Sequence, residues 1–593
     1  MYKAPVAEIA FSLKAVAGLD RAMADGLTGE LTPDLLDAIL EEAGRFASEE
    51  MAPLGGVGDR EGASVKDGVM TMPTGWKDLY ARWTEGGWNA LTGPAEYGGQ
   101  GLPVALSAAV FEMWNSASMA FALGPMLTVG AVEAIVAHGS DELKRVYLEK
   151  LVTGSWMGTM NLTEPQAGSD LSALRTRAER RDDGSYRIFG TKIYITFGEH
   201  DFTDNIVHLV LARLPDAPAG VKGISLFVVP KFLVEANGAL GKRNDVKCHS
   251  IEHKLGIHGS PTCTMIYGDG FGETGEAGAV GYLVGEENKG LACMFTMMNN
   301  ARLHVGVQGV GVAEAAFQHA LAYAKERRQG RATGSVDTGM SPIVEHQDVA
   351  RMLLTMKALT GASRAITYAC GHAIDMSHAH DGDADASRRW TERANLLTPI
   401  AKAFPTDVGV EVASIGIQVH GGMGFVEETG AARLLRDSRI APIYEGTNGI
   451  QAIDLVARKL PLSGGAAIAA YLDELSETVE AVRGSNQPGF GRTGEALFAA
   501  VQDFRETTEF LLRALGEKDM DTALSGATPY LRLAGLAAGA VYLAKGALAE
   551  TGREDRTALA RFMAENLVAE TASLKAQVLG GAASLSAARI VLQ

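Results

Sequence analysis

The spacing of apolar residues changes twice along this chain of 593 residues, and these changes limit the folds that it can adopt. Apolar residues follow helical spacing up to about Gly154 and again from Gly290. Between them, Ser185–Ile195, Asn205–Leu214 and Gly223–Pro230 are short, rich in β-branched residues and separated by turn residues, which is typical of strands. Helices, then strands, then helices predict an α+β chain.

Local signals place several of these elements more closely. Thr32, which is followed by Pro, and Ser140, which is followed by two acidic residues, are both expected to cap helices. Further strands are predicted at Thr262–Ile266 and Ala279–Val284. Pro405 is expected to start or kink a long helix, because it cannot donate a helical hydrogen bond.

The last part of the chain is expected to form a separate helical domain. A linker is predicted at Pro461–Ala466, and four stretches rich in Ala and Leu follow it with helical patterns. These stretches are Ala467–Arg483, Gly494–Leu515, Thr528–Glu550 and Asp555–Leu579. Because single cores rarely exceed about 250–300 residues, we divide the chain into domains at 1–158, 159–288, 289–462 and 463–593.

Charge and composition disfavour two classes of function. The formal net charge of −17 argues against non-specific nucleic-acid binding, which needs a basic surface. Two apolar segments, Ser116–Val132 and Leu533–Ala544, are broken by small residues or too short for a membrane span. We therefore expect both segments to be buried helices and the chain to have no membrane span.

The cysteine pattern indicates reduced thiols and no metal site. Four cysteines in so long a chain, none of them in a CxxC pair, are typical of a cytoplasmic protein. The first residues also lack the basic and then apolar pattern of a secretory signal. Between Cys248 and Cys263, three histidines, His249, His253 and His258, could suggest zinc, but the spacing fits no zinc motif well.

Three polar motifs could carry chemistry, although each alone is compatible with an ordinary turn or strand. Leu162–Asp170 places Gly and hydroxyl residues in a polar turn, where backbone N–H groups can approach a ligand. Lys192–Thr196 puts an aromatic and a hydroxyl side chain two residues apart on a strand. Glu445 lies between the apolar run Ile440–Tyr444 and a glycine, a setting in which burial would raise a carboxylate pKa.

Together these motifs resemble the acyl-CoA dehydrogenase family. The resemblance runs from about Leu31 to about Leu460 and rests on strings in the order found in the family. They are LTEPQAGSD, KIYIT, HKLGIHGSPT, NNARLHVGVQGVG, KERRQGR, VEHQ, IQVHGGMGF and IYEGTNGIQ. The resemblance implies an N-terminal helical domain, a central β-barrel-like domain and a C-terminal four-helix bundle, here extended by a further helical domain.

The family resemblance also implies the cofactor, the partners and the site residues. FAD would lie between the domains, partly held by a neighbouring subunit of a homodimer or homotetramer, and electron-transfer flavoprotein would be the acceptor. Glu445 would remove the α-proton of an acyl-CoA thioester. The expected FAD contacts are Leu162, Thr163, Gly168, Ser169, Ile195, Thr196, Arg327, Gln418, Gly421, Gly422 and Thr447. The expected substrate contacts are Ser169, Arg302, Tyr444 and Gly446.

The sequence departs from the family pattern at a few of these positions. Asn299 stands near an acidic residue that often contacts pantetheine, and Gly449 replaces a Gln that often touches adenine. Tyr194 stands where many members have Trp. These contacts are therefore not assigned.

The extra helical domain resembles a long subgroup of the family. Within it, the chain resembles members that convert 3-(methylthio)propanoyl-CoA to 3-(methylthio)acryloyl-CoA in dimethylsulfoniopropionate degradation. Met294, Met297 and Met298 could favour a thioether, but Met more often fills a core. The alternatives are a short- or medium-chain fatty acyl-CoA dehydrogenase or an oxidase.

A DNA-associated flavoprotein of the alkylation-response type is the alternative of a different class. Such a protein would need a basic surface on its C-terminal helical domain. Residues 461–593 contain 12 Lys and Arg and 16 Asp and Glu, a net charge of −4, so this alternative is disfavoured.

Overall fold

Along the chain, helices precede and follow a central β region, as predicted from the sequence. The structure is a computed structural model that describes residues 2–66, 68–336, 338–380 and 382–593, with all their side chains except those of Met297 and Asn299. The helices are α1 Val6–Phe11, α2 Leu19–Ala24, α3 Pro33–Arg45, α4 Ala52–Glu61, α5 Trp76–Glu85, α6 Val104–His138, α7 Asp141–Val152, α8 Gly290–Glu326, α9 Gln347–Ala379, α10 Ala384–His420, α11 Ala431–Ser438, α12 Asn448–Asp454, α13 Ala466–Arg483, α14 Thr493–Gly516, α15 Met520–Ser525, α16 Ala527–Ala549, α17 Glu554–Phe562 and α18 Glu570–Ala588.

The strands cluster between residues 157 and 284, with one hairpin before them. They are β1 Ser64–Lys66, β2 Val69–Thr71, β3 Met157–Asn161, β4 Arg177–Arg180, β5 Tyr186–Thr196, β6 Ile206–Arg213, β7 Ile224–Pro230, β8 Phe232–Val234, β9 Leu240–Arg243, β10 Val246–Ile251, β11 Thr262–Tyr267 and β12 Ala279–Val284. The strands predicted from β-branched runs are confirmed to within a residue or two.

Two predicted helix starts are confirmed by their side-chain caps. The Thr32 hydroxyl accepts a hydrogen bond from the Leu35 backbone N–H at the start of α3. The Ser140 hydroxyl does the same for Leu143 in α7. Each cap satisfies a backbone donor that the first helical turn leaves without a partner.

The chain forms two compact units, each assembled from separate stretches of sequence. The first unit contains the chain up to Ser48, Pro103–Ala117 and Arg302–Gln593. The second contains Glu49–Leu102 and Ser118–Ala301. Because α6 and α8 each cross from one unit to the other in sequence, the units do not follow linear domain boundaries.

The second unit is built on an eight-stranded, mainly antiparallel sheet. Its strand order is β10-β11-β5-β12-β7-β6-β3, and β4 pairs with both β5 and β6. Every residue of β3 and β7 is buried, which places these strands in the core of the unit. β3 runs parallel to β6, which also pairs in parallel with β4 and pairs antiparallel with β7.

The first unit is helical, and the C-terminal helices belong to it. In its core, α9 and α10 pack along each other, and the apolar helix α16 packs on both. Gly539 allows the close approach of α16, because a Cβ there would lie 2.6 Å from the Cβ of Ala362 in α9. The helices after residue 465 therefore pack on the bundle through α16.

A buried ionic network also joins three helices of the first unit. The Arg364 guanidinium lies 2.6 Å from the Glu112 carboxylate and 2.8 Å from that of Glu314, and all three side chains are at most 2% exposed. The Tyr368 hydroxyl donates a 2.7 Å hydrogen bond to Glu112. Burial would raise the pKa of Glu314, but the charge of Arg364 outweighs this effect and lowers the pKa.

One predicted helical stretch is interrupted by a wider turn. The stretch Asp555–Leu579 forms α17, a wider π-helical turn at Met563–Leu567, and α18. The Val568 N–H bonds to the carbonyl of Met563, five residues earlier, at 3.0 Å. The wider turn keeps Met563, Ala564 and Val568 buried together, and no Gly or Pro marks it in the sequence.

Two helices have the length and apolar composition of a membrane span, Val104–His138 and Ala527–Ala549. Their most apolar windows are 83% and 78% buried inside the protein, respectively. The two apolar segments predicted to be buried helices lie within them, and that prediction is confirmed. Core helices of a compact protein pass the same test of length and composition.

The Arg364 network predicts that one substitution will be strongly destabilising. Arg364→Met should lower the free energy of unfolding by about 3–5 kcal/mol, because two buried carboxylates lose their counter-ion. Thermal unfolding measures the change. Arg351→Met is the control, since the Arg351–Asp348 pair is exposed and should contribute less than about 1 kcal/mol. Equal losses in the two variants would contradict a structural role for the network.

Candidate active site

The loop between α11 and α12 presents Glu445 in an unusual backbone conformation. Glu445 has a φ of 55°, a left-handed value that non-glycine residues rarely adopt. The flanking turns are held by hydrogen bonds from the Tyr444 N–H to the Ile440 carbonyl at 3.1 Å and from the Asn448 N–H to the Pro442 carbonyl at 3.0 Å. Such strained residues are concentrated at functional sites.

The carboxylate of Glu445 is left without a fixed partner. The side chain is partly buried, and no hydrogen bond or ion pair holds its carboxylate within the described part of the chain. Burial raises the pKa of Glu445, while the positive charges of Arg302 and Lys402 pull it back. The group therefore has the raised pKa and the free oxygen atoms of a general base.

Arg302 supplies a buried cation beside this loop. Its side chain is 10% exposed, and a guanidinium nitrogen lies 3.8 Å from the Asp454 carboxylate. Its Nε is buried and has no hydrogen-bond partner among the described residues. A buried donor without a partner is costly, so a polar group of a bound ligand is its natural partner.

Gln451 supports the loop from α12. Its Nε2 lies 3.4 Å from the Glu445 carbonyl and 3.3 Å from that of Gly446, both long hydrogen bonds. The Thr447 hydroxyl caps the same helix by accepting from the Ile450 N–H at 3.2 Å. Gln451 thus holds the carbonyls of Glu445 and Gly446, and Thr447 stabilises the start of α12.

Tyr444 precedes Glu445 and is anchored to α8. Its hydroxyl donates a hydrogen bond to Gln308 Oε1. Burial and the neighbouring Glu445 charge raise the pKa of Tyr444, so its phenol stays protonated at neutral pH.

Lys402 and Asn448 complete the surroundings of the loop; Asn448 lies in the string IYEGTNGIQ, whereas Lys402 lies outside every motif of the site. Lys402 Nζ lies 2.9 Å from the Ala441 carbonyl and 2.9 Å from Asn448 Oδ1. Lys402 is fully buried. Its only sequence signal is a lone lysine within the apolar stretch Pro399–Phe404.

The four other predicted FAD contacts of the first unit lie at two helix ends. Arg327 follows α8 directly, Gln418 lies in the last turn of α10, and Gly421 and Gly422 follow that helix; all four are exposed. Between them, the rings of Tyr323 and His420 stack with centroids 4.5 Å apart. A Cβ at either glycine would meet no atom within 4 Å, so the turn has room for a ligand.

The second unit holds the remaining predicted FAD contacts on one loop and one strand. Leu162 and Thr163 are partly buried, Gly168 and Ser169 are exposed, and Ile195 and Thr196 end β5. The Ile193 N–H donates to the Thr163 carbonyl at 3.0 Å, which joins the two motifs. The structure thus brings this group together within one unit.

A buried ion pair braces the same two motifs. Lys192 Nζ lies 2.8 Å from the Glu164 carboxylate and 3.0 Å from the Leu162 carbonyl. Burial alone would raise the pKa of Glu164, but the Lys192 charge and the hydrogen bonds hold it well below its usual range. The sequence motifs contain both residues, but their spacing does not reveal that they pair.

A bulge at the end of β5 changes the expected placement of Tyr194. The pairing with β11 shifts register between Cys263 and Met265, and Tyr194 has a φ of 60°. The regular alternation that would put Tyr194 and Thr196 on one face is therefore interrupted. Tyr194 is 60% exposed, which leaves a large aromatic surface available for contact.

These features fit FAD in chemical terms. An exposed aromatic ring at Tyr194 suits a flat ring system. The open glycine turn after α10, with the nearby guanidinium of Arg327, suits phosphate groups. No cluster of three or more His, Cys, Asp or Glu side chains that could hold a metal occurs among the described residues.

Comparison with known proteins gives matches along most of the chain. Four family descriptions match in order: "Acyl-CoA dehydrogenase, N-terminal domain" at residues 34–155, "Acyl-CoA dehydrogenase, middle domain" at 159–269, "Acyl-CoA dehydrogenase, C-terminal domain" at 288–460 and "Acetyl-CoA dehydrogenase C-terminal like" at 471–589.

Two relatives and one solved structure are similar over most of their length. A 3-methylmercaptopropionyl-CoA dehydrogenase of Ruegeria pomeroyi is 48% identical over 534 residues, which cover 90% of this chain and 89% of that protein. A butyryl-CoA dehydrogenase of Syntrophomonas wolfei is 34% identical over 80% of this chain and 78% of that protein. The structure of an acyl-CoA dehydrogenase complexed with FAD from Bacillus anthracis has a TM-score of 0.70 over 94% of this chain and 90% of that chain, at 23% identity, a likeness of fold.

The loop geometry predicts that Gly446 tolerates no side chain. Gly446 has a φ of +88°, and a Cβ there would lie 2.7 Å from Gln451 Nε2. Gly446→Ala should strain the backbone and displace Gln451, and steady-state turnover should fall roughly tenfold or more, since small misplacements of reacting groups are costly. Gly580→Ala is the control, because its Cβ would meet nothing within 4 Å. Unchanged turnover in Gly446→Ala would show that the loop does not set the position of the base.

Proposed function

Because the chain belongs to the acyl-CoA dehydrogenase family, we propose that it oxidises 3-(methylthio)propanoyl-CoA to 3-(methylthio)acryloyl-CoA, with Glu445 as the base. As a member of this family it is an FAD-dependent oxidoreductase that introduces an α,β double bond into an acyl-CoA. The observation that carries the base assignment is the free, partly buried carboxylate of Glu445, whose pKa burial raises.

Glu445 performs the proton transfer of this reaction. Its carboxylate takes the α-proton of the thioester, and the electron pair of that C–H bond forms the new double bond as hydride leaves the β-carbon. Bound FAD supplies the acceptor for this hydride. The Glu445 N–H donates to no carbonyl in the described part of the chain, so it is free to stabilise charge on the thioester oxygen.

The ionisation of Glu445 sets the direction of the pH dependence. The base acts only when ionised, so turnover falls as the pH drops through the pKa of Glu445. Burial raises this pKa, which moves the acid limb of the pH profile above that of an exposed glutamate. Exclusion of water by bound substrate acts in the same direction.

The remaining predicted residues are proposed to bind FAD and CoA. Leu162, Thr163, Gly168, Ser169, Ile195 and Thr196 would contact the flavin portion, and Ser169 would also contact substrate. Arg327, Gln418, Gly421, Gly422 and Thr447 would contact FAD, partly that of a second subunit in a homodimer or homotetramer. Arg302, Tyr444 and Gly446 would contact the acyl-CoA, and the unpartnered Arg302 Nε supports this role.

The choice of acyl group rests on similarity. The relative named for the methylthio substrate is 48% identical, whereas the relative named for butyryl-CoA is 34% identical. Met294 is buried, and the side chain of Met297 lies outside the described residues, so the methionine cluster adds no support. Butyryl-CoA is the second candidate substrate.

The acceptor, the compartment and the domain division are further proposals. Electron-transfer flavoprotein is proposed to reoxidise the enzyme, with O₂ as the rival acceptor of an oxidase. The four cysteines are free thiols, which supports a reducing cytoplasm. We retain the domain division at residues 158, 288 and 462, and the net charge of −4 after residue 460 disfavours a DNA-associated role.

The substrate proposal predicts an order of reactivity. Anaerobic bleaching of the bound flavin should be faster with limiting 3-(methylthio)propanoyl-CoA than with butyryl-CoA at the same concentration, by about tenfold in rate constant, since a well-fitted pocket distinguishes groups that differ by one atom by about this amount. Longer and branched acyl-CoAs complete the panel. Faster bleaching by butyryl-CoA would reject the methylthio assignment while leaving the dehydrogenase function intact.

The base assignment predicts the behaviour of one variant. Glu445→Gln should retain FAD and fold but lose turnover by at least about 100-fold, the usual contribution of a general base. Glu477→Gln on the exposed face of α13 is the matched control, with activity like that of the unmodified protein. Full activity of Glu445→Gln in dye reduction with acyl-CoA would refute the assignment.

A further inference from the structure

We propose that Lys402 is a positioning residue for the catalytic base, because it ties both ends of the Glu445 loop to helix α10. The inference rests on the proposed function, since it concerns how Glu445 is held for proton transfer. No sequence motif of the site includes Lys402, which lies on α10, far from Glu445 in the chain.

Two hydrogen bonds of the same ammonium group carry the inference. Lys402 Nζ lies 2.9 Å from the carbonyl oxygen of Ala441, ahead of Glu445, and 2.9 Å from Oδ1 of Asn448, behind it. The loop between α11 and α12 therefore has one point of attachment on each side of the base. We call the two side chains that make this attachment the Lys402–Asn448 clamp.

Asn448 extends the clamp along α10. Its Nδ2 lies 2.8 Å from the Asp407 carboxylate, 3.0 Å from the Thr406 hydroxyl and 3.2 Å from the Ala403 carbonyl. Its backbone N–H also donates to the Pro442 carbonyl inside the loop. Residues 402–407 of α10 thus hold both ends of the loop.

A lysine at this place is not explained by packing alone. The side chain is fully buried, where a methionine would fill a similar space without the cost of burying a charge. Burial lowers the pKa of Lys402 to about 7. If the ammonium group were removed, the Ala441 carbonyl would lose its side-chain donor, and Asn448 Oδ1 would keep only the longer hydrogen bond from the Thr406 hydroxyl at 3.3 Å.

The Lys402 ammonium group also interacts with nearby charged groups, including the Glu445 carboxylate. The groups that act on Lys402 are Asp407 on its own helix, Glu445 on the loop and Arg302 on α8. A positive charge near Glu445 favours its ionised form. The clamp therefore has two separable effects: the position of Glu445, which both members set, and its ionisation, which only Lys402 influences.

The separation of these effects gives a test with FAD-loaded full-length protein. Lys402→Met removes both Lys402 bonds and the charge, whereas Asn448→Ala removes one of the two Lys402 bonds together with the three bonds of its own Nδ2 and keeps the charge. Lys545→Met is the matched control, because Lys545 is also largely buried and donates to a backbone carbonyl, that of Val16, at 2.9 Å. Turnover with acyl-CoA and dye is measured against pH, together with KM, FAD content and melting temperature.

We expect both clamp variants to lose kcat by about tenfold or more per bound FAD, with little change in KM. Lys402→Met should also move the acid limb of the kcat profile to higher pH, because Glu445 loses a charge that favours its ionised form. Asn448→Ala should leave the acid limb where it is in the unmodified protein. Lys545→Met should change only the melting temperature.

Several outcomes would overturn the inference or the proposed function. If Lys402→Met lowers only the melting temperature and keeps kcat within about twofold, or loses kcat without moving the acid limb, the inference is overturned. If Lys402→Met cannot be obtained with FAD, Asn448→Ala decides alone, and kcat within about twofold of the unmodified protein overturns the clamp. If the unmodified protein and Lys545→Met both fail to oxidise any acyl-CoA, the proposed function itself fails and the inference falls with it.

Discussion

The partly buried carboxylate of Glu445 is the group on which the proposed chemistry of this protein depends. Burial raises the pKa of Glu445, and the cations Arg302 and Lys402 oppose this effect. The balance leaves the pKa of Glu445 above that of an exposed glutamate, as suits a general base. Its oxygen atoms are left without fixed partners among the described residues, so the carboxylate is free to accept a proton from carbon.

The helical unit around Glu445 makes this arrangement rigid. The loop is held by Gln451 on α12, by Gln308 on α8 through Tyr444, and by Lys402 on α10. The buried Arg364 network joins α6, α8 and α9 in the same unit. The appended helices add to this core through α16 rather than forming a loose extension. A strained residue such as Glu445 persists only where the surrounding contacts outweigh its cost.

Local signals explain how far the sequence predicts the structure. Caps at Thr32 and Ser140, β-branched runs and the glycine after Glu445 act over a few residues, and the elements that they predict are found. No such signal marks the buried strand Met157–Asn161, which contains Met, Gly and Asn and a single β-branched residue, Thr159. Lys402, Asn448 and the Glu164–Lys192 pair escape sequence reasoning because their partners are distant in the chain, and only the tertiary fold brings them together.

A crystal structure of the protein with FAD and a CoA thioester that cannot be oxidised tests the central claim most directly. The quantity to measure is the distance from the nearer Glu445 carboxylate oxygen to the α-carbon of the thioester. We predict about 3–3.5 Å, the separation of a reactive ground state, with no other carboxylate as close. A Glu445 side chain turned away from the α-carbon, with another basic group in its place, would contradict the account.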